Sequence, residues 1–391
     1  MPVAFIEDSA GGRRLENALA GAASVAVDCE AAGFHRYSDR LCLVQLSTVD
    51  ATYILDPLAT KVAPFLKSSL ENPATSVVMH GAAYDLRLLK RDLGIHVNGL
   101  VDTQVSASLL GEPGIGLQAL LERHLGVTVS KKFQRADWAQ RPLSSEMLDY
   151  AAGDTRHLHA LAEILGNLLV ETGRQQWATE EYRWLVESAH QPDEKEPVDP
   201  VTKLKGAKAL DAVACTALRA GLRWRDGIAR SLDRAPFRVI SDQALLEAAV
   251  VRPRSVGELS RVKGVSPRLA DASGMELLRQ YREIEAAGAE ELEPYPAPMA
   301  RAARPSPETE AAFEALKAER NRVASDLGLE KGRLMPNHLL MEVATRMPIS
   351  IEELHDVGDI RAWQVENFGD RLLQALERSQ SSAEIEPTPS G

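Results

Sequence analysis

The 391 residues are too many for one ordinary hydrophobic core, so two or three domains are expected. With 45% apolar and 26% charged residues, and no run near the ~18 apolar residues of a membrane span, the composition excludes disordered and membrane-spanning classes. A formal charge of -11 argues against a chain that grips nucleic acid over its whole surface.

Residues 1–191 read as α/β. Strands are expected at Val25–Asp28, Leu41–Ser47, Tyr53–Leu55 and Val77–Met79. The first three are joined by connections too short for crossover helices, so they should pair antiparallel. Helical periodicity follows over Tyr84–Leu93, ending at Gly94, and over Leu117–Leu125, ending before Gly126. Ser144-Ser145-Glu146 marks the start of a helical run to about Val170. The fold class is a mixed sheet flanked by helices.

QPDEKEPVDP, residues 191–200, reads as an exposed linker, taken as 192–204, and a proline-rich stretch over 291–307 as a second. The segments after them, 205–290 and 308–380, are helix-rich and match each other without a gap at an offset of 95. Arg225/Arg320, Leu245/Leu340, Pro253/Pro348, Leu259/Leu354 and Leu277/Leu372 are among the identities. Most matched positions are apolar at helical spacing, so they report a shared core in a duplicated helical domain. Residues 381–391 read as a disordered tail.

The chemistry concentrates in acids. Within SVAVDCE, Asp28 and Glu30 project to one face of a strand, about 7 Å apart along it. Two such carboxylates repel unless a divalent cation or water lies between them; a strand end in solvent is the plainer alternative. Asp85, in MHGAAYDLRLL, falls in the first turn of a helix that follows a strand, where it either serves a site or complements the helix dipole. Tyr150 and Asp154, in LDYAAGDTRHL, share a helix face at i and i+4. The four carboxylates together suit a pair of hard divalent ions clamping a phosphodiester. A phenol beside the attacking water can orient it, the role assigned to Tyr150.

In order and in text, Asp28-x-Glu30, HGAAYD with Asp85, and Tyr150-x-x-x-Asp154 resemble the three motifs of the DEDDy 3′→5′ exonucleases. RLCLVQLST, KKFQRADWAQRPLS and MLDYAAGDTRHL are similar to the ribonuclease D family in particular. The duplicated unit, with LRWRDGIAR, resembles the HRDC (helicase and ribonuclease D C-terminal) domain. The second copy is the more divergent, with Glu319 where the first has Trp224. The family usually has Asn where this chain has Gly81, and Ala where it has Gly153; neither position is expected to carry a ligand.

The resemblance implies an α/β ribonuclease H-like nuclease domain (residues 1–191) followed by two all-α HRDC domains. It implies two Mg²⁺ or Mn²⁺ ions. Asp28, Glu30 and Asp154 would hold one, and Asp28 with Asp85 the other. The implied activity is release of nucleoside 5′-monophosphates from RNA 3′ ends, tRNA precursors especially. A DNA 3′→5′ exonuclease and a catalytically silent RNA-binding scaffold are the alternatives; a scaffold would lack one of the five site residues, and all five are present.

Other residues allow two readings. Phe34, in the loop after the first motif, either stacks a base or anchors the loop. His80 is a structural strand-end histidine or a substrate contact, and Tyr84 is a further candidate contact. His157 lies near the site, while His159 is expected at the surface. Lys132, with Lys131 and Arg135, either touches phosphates or is a solvated basic loop. Residues 201–240 carry nine Lys/Arg against three Asp, a local charge of +6. Within that stripe Arg223 and Arg225, with Arg219 and Arg230, read as an RNA grip or as a solvated helix face. Cys29, Cys42 and Cys215 form neither a zinc spacing nor a disulfide framework, and no secretory leader is visible. A cytoplasmic enzyme acting on RNA is expected, with no membrane attachment and no obligate protein partner.

Overall fold

The strand carrying Asp28 and Glu30 lies inside a six-stranded sheet of order β1-β4-β3-β2-β5-β6 in a computed structural model that describes residues 2–191, 198–297 and 305–385. The strands are β1 (Val3–Ile6), β2 (Ser24–Ala31), β3 (Leu41–Ser47), β4 (Thr52–Leu55), β5 (Ser76–Met79) and β6 (Leu100–Asp102). As the short connections require, β2 pairs antiparallel with β3, and β3 with β4. The outer pairs β1/β4, β2/β5 and β5/β6 are parallel. The two strands absent from the sequence reading, β1 and β6, are short edge strands of four and three residues. Too few positions alternate in them to register as a period.

The helices of this N-terminal domain are α1 (Ser9–Leu19), α2 (Ala63–Leu70), α3 (Ala83–Leu93), α4 (Thr103–Leu109), α5 (Leu117–Leu125), α6 (Ser145–Arg156), α7 (Leu158–Glu171) and α8 (Gln175–His190). The helical run expected to continue to Val170 breaks at His157, which separates α6 from α7. Ser144 starts α6 by accepting from the Met147 N–H at 3.2 Å. The small, fully buried Ala151 and Ala152 let this helix lie close on Leu43 and Ile54 of the sheet. A buried hydroxyl bond of 2.8 Å from Thr155 Oγ1 to Ser47 Oγ ties helix to strand.

The first helical unit, the one that resembles HRDC, holds α9 (Ala212–Ser231), α10 (Pro236–Val239), α11 (Asp242–Val251), α12 (Val256–Leu259) and α13 (Pro267–Ala286). Its core also contains Val201 and Leu204. The end of the stretch expected as a linker is thus folded: Pro200–Lys203 form a 3₁₀ turn packed on α9. The second unit holds α14 (Pro307–Leu327), α15 (Lys331–Leu334), α16 (Asn337–Arg346), α17 (Ile351–His355) and α18 (Ala362–Ile385). Residues 192–197 and 298–304 of the two expected linkers lie outside the described residues, as do 386–391 of the expected tail, whereas 381–385 continue α18.

The second unit shares its core with the N-terminal domain. Val105, Leu109, Leu169, Trp177 and Ala178 belong to the same apolar cluster as Leu316, Leu340 and Phe368. Trp177 stacks on Trp363 with centroids 4.7 Å apart. From α8, Glu180 accepts the Ala362 and Trp363 N–H groups at 2.5 and 2.9 Å, capping α18 from another domain.

Candidate active site

Both acids of the first motif lie near the C-terminal end of β2. Asp28 stands opposite Gln45 of β3, and the β2/β3 register shifts between Glu30 and Ala31. That irregularity ends regular pairing just past the second acid and turns the chain into the loop holding Phe34. Asp154 reaches the same place from α6. One carboxylate oxygen each from Asp28, Glu30 and Asp154 lie within 4.8 Å of one another.

Asp85 arrives from the first turn of α3 and is buried. A residue missed in the sequence, Asp102, positions it. Its buried carboxylate accepts the N–H groups of Gly81 (3.0 Å), Ala82 (2.7 Å), Gln104 (2.8 Å) and Val105 (3.1 Å). One side chain thereby fixes the turn into α3 and the start of α4. Gly81 has φ +70°, a left-handed conformation that Gly and Asn both accept, so the departure from the family's Asn is conformationally mild.

Electrostatics confirm the crowding. Burial pushes the Asp28 carboxyl up to about 6. Burial, then the Asp28 charge, pushes Asp154 up to about 8. Glu30 and Asp85 are raised well above the ordinary carboxylate range, chiefly by burial and next by Asp28. Among the described residues no cation offsets any of the four, so the cluster carries uncompensated negative charge when ionised. An oxygen-only donor set without a basic partner fits a hard divalent cation and not zinc or copper.

Tyr150 stands on the Asp154 face of α6. Its half-buried ring lies 5.9 Å from Phe133, edge-on, and 6.0 Å from Trp138. Burial and the charges of Asp154, Glu30 and Asp28 raise its phenol above the ordinary value, so it stays protonated near neutrality. A cavity of about 200 Å³ beside it is lined by Val129, Tyr150, Gly153, Asp154, Arg156 and His157. Gln45 is a second residue that sequence reading passed over. Its side chain is fully buried beside Asp28, and neither amide atom has a partner. The signal was present: one amide inside the otherwise apolar run LCLVQL.

The remaining candidates disperse. His80 Nδ1 hydrogen-bonds Thr103 Oγ1 at 2.9 Å and burial lowers its pKa, which makes it a strut of the same turn. Tyr84 donates to Asp39 at 2.6 Å. Lys132 pairs with Glu146 at 2.5 Å on the surface. Arg225 is held by Asp242 at 2.6 Å and by the Ile240 carbonyl, and Arg219 by Asp199 at 2.6 Å. Two members of the expected basic grip therefore serve the first HRDC unit's own structure. Arg223 is exposed and lines cavities on that unit. Phe34 meets the first HRDC unit instead of standing alone: its ring lies 5.6 Å from Phe237. His159, expected at the surface, is half-buried and lines a cavity of about 900 Å³ beside Ser24 and Ser76, at the strand ends away from the acids.

This sheet, with acids converging at one end of its strands, defines a nuclease, and the comparisons agree. Residues 3–170 match the 3′-5′ exonuclease domain family, and residues 217–280 and 309–376 each match the HRDC domain. Ribonuclease D of Granulibacter bethesdensis is 30% identical over 358 residues, 89% of this chain and 86% of that protein. Protein RRP6-like 2 of Arabidopsis thaliana is 34% identical over 272 residues, 67% of this chain but 31% of that longer protein. The crystal structure of Escherichia coli RNase D has the same fold, with a TM-score of 0.67 and 23% identity over 97% of this chain and 99% of that one. The chain belongs to the ribonuclease D family and is a 3′→5′ exoribonuclease. Among the described residues no helix is long and apolar enough to cross a membrane.

Proposed function

We propose that this enzyme trims RNA one nucleotide at a time from the 3′ end, tRNA precursors among its substrates, releasing nucleoside 5′-monophosphates. The carrying observation is the meeting of Asp28, Glu30 and Asp154 oxygens within 4.8 Å, an oxygen-only cluster of the kind a hard divalent ion takes. Asp28, Glu30 and Asp154 would hold one divalent ion, Mg²⁺ or Mn²⁺, and Asp28 with Asp85 a second. When bound, such ions supply Lewis acidity, acidifying water and offsetting charge on the scissile phosphate.

The chain's own residues do the rest. Asp102 and the β2/β3 pairing fix the acids before substrate arrives, so little reorganisation is left for the reaction itself. The protonated phenol of Tyr150, steadied by Phe133 and Trp138, hydrogen-bonds the attacking water and orients it toward phosphorus. Family membership supports RNA over DNA; the tRNA-precursor assignment rests on the resemblance of the motifs alone. Three free, buried cysteines support a cytoplasmic setting.

The test is nucleotide release from matched 3′-hydroxyl RNA and DNA strands, with EDTA and after metal is restored. Monophosphate should appear from RNA first, stop with EDTA and resume with Mg²⁺ or Mn²⁺. Release unaffected by EDTA would remove the metal assignment, and equal rates on DNA would remove the preference for RNA.

A further inference from the structure

The loop that leaves the active site after Glu30 carries Phe34, with its side chain 41% exposed. Across the domain junction, Phe237 of α10 is 51% exposed, and the two ring centroids are 5.6 Å apart. Two cations frame them. The Arg238 guanidinium lies 4.8 Å from the Phe34 centroid and 5.9 Å from that of Phe237, and Arg135 lies 5.7 Å from Phe34 on the segment that also carries Phe133. The arrangement is fixed from both sides. Arg238 Nε donates to the Phe34 carbonyl at 2.7 Å, the Ala235 N–H to the His35 carbonyl at 3.0 Å, and His35 Nε2 to the Arg135 carbonyl at 2.9 Å.

Two half-exposed phenyl rings at a domain junction leave apolar faces in water that the junction does not cover. The acids nearby do not repel an anion, because each is already engaged. Asp137 is paired with Arg36 at 2.7 Å, Asp233 with Arg40 at 3.1 Å, and Asp226 with Arg230 at 3.5 Å. Exposed aromatic faces flanked by arginines are what an unpaired nucleic-acid strand requires: a π surface for a base and a cation for the phosphate beside it.

We propose that Phe34, Phe237, Arg135 and Arg238 form a composite stacking platform for single-stranded RNA on the 5′ side of the cleaved nucleotide, half of it supplied by the first HRDC unit. It rests on the reading that the 3′ end lies at Asp28, Glu30 and Asp154. The platform makes the first HRDC unit part of the substrate channel. It also favours unpaired over base-paired RNA next to the end, since a base inside a helix has no free face to give.

The test is a cycle between protein ring and nucleobase. Initial rates are measured on an eight-nucleotide RNA, intact or with one abasic residue moved along positions two to six from the 3′ end, for the wild type and for Phe237→Ala, Phe237→Leu and Phe237→Trp. In the wild type, one or two adjacent abasic positions should lower kcat/KM about tenfold through KM. Phe237→Ala and Phe237→Leu should lose about as much on intact RNA and then be less than twofold sensitive to the abasic site, while Phe237→Trp keeps the sensitivity. Losses that simply add, or a leucine variant that behaves as wild type, would overturn the platform. Absence of nucleotide release from the intact strand by the wild type would instead remove the reading of the 3′ end on which it rests.

Discussion

Arg238 and Arg333 occupy the same position in the two HRDC units, 95 residues apart, and both reach the nuclease domain. Arg238 donates to the Phe34 carbonyl at 2.7 Å, and Arg333 lies 3.8 Å from the Glu181 carboxylate of α8. The duplicated helical domain thus presents the same short helix, α10 or α15, to two different faces of its partner. One face borders the loop beyond Glu30, and the other is the back of α8. The first unit meets the loop that leaves Glu30, and the second shares an apolar core with the nuclease domain and braces it.

The bracing role gives a stability prediction. Trp363 is buried, stacks on Trp177 and donates through Nε1 to the buried Glu181 at 3.0 Å. Trp363→Ala should cost about 3–5 kcal/mol in denaturant unfolding, because it opens a cavity and removes the one indole hydrogen bond to Glu181, which Arg333 and Arg361 still face. A chain truncated before α14 should aggregate, since Leu109, Leu169 and Trp177 lose their cover. Wild-type stability in the tryptophan variant would show that the second unit is merely tethered.

Asp102 carries a second prediction. Four N–H groups converge on its carboxylate, so Asp102→Ala should lower stability by about 3–5 kcal/mol. It should also lower kcat on RNA, because the turn that aims Asp85 loses its anchor. Asp102→Asn should recover part of both, since its side-chain oxygen still accepts. An alanine variant with unchanged kcat would separate Asp102 from the site.

Removal of metal should expose a pH dependence of known sign. The folded carboxyls of Asp28 and Asp154 sit at about 6 and about 8, above the ordinary 3.8 that each would have unfolded. The folded state therefore binds these protons more tightly, and the stability they contribute is full below about pH 4 and is lost as pH rises through 6 and 8. In EDTA the denaturation midpoint should fall between pH 5.5 and 8.5. Mg²⁺ or Mn²⁺ should restore it at the alkaline end, and Asp154→Asn should flatten the slope. Equal slopes in the variant and the wild type would detach the effect from the cluster.

Tyr150→Phe keeps the ring between Phe133 and Trp138 and removes only the hydroxyl. Turnover should fall on the order of 10²-fold while metal affinity stays within about twofold. An unchanged turnover would take the water-orienting role away from this residue.

Much of this was legible in the chain itself. Short apolar runs rich in β-branched residues exposed β2, β3 and β4, glycine stops closed α3 and α5, and the fixed offset revealed the helical duplication. Asp28, Glu30 and Asp154, which meet within 4.8 Å, were singled out together with Asp85 and Tyr150 by the text of three short motifs, since periodicity alone left a plainer reading open for each. What could not be read were partners distant in sequence. Arg219 and Arg225 looked free until Asp199 and Asp242 folded onto them. Asp102 ends a strand too short to read in the sequence, and its four donors come from two separate turns. Phe34 was read within its own loop, although its neighbour lies some 200 positions away.

Binding of Mn²⁺ followed by electron paramagnetic resonance at pH 8 reaches the central assignment most directly, because it needs no substrate. The free-ion signal should be depleted by up to two equivalents in the wild type and by clearly less in Asp28→Asn, with both proteins folded by circular dichroism. A wild-type titration indistinguishable from buffer, or an Asp28→Asn protein that takes up manganese equally well, would contradict the assignment of these carboxylates as the metal site.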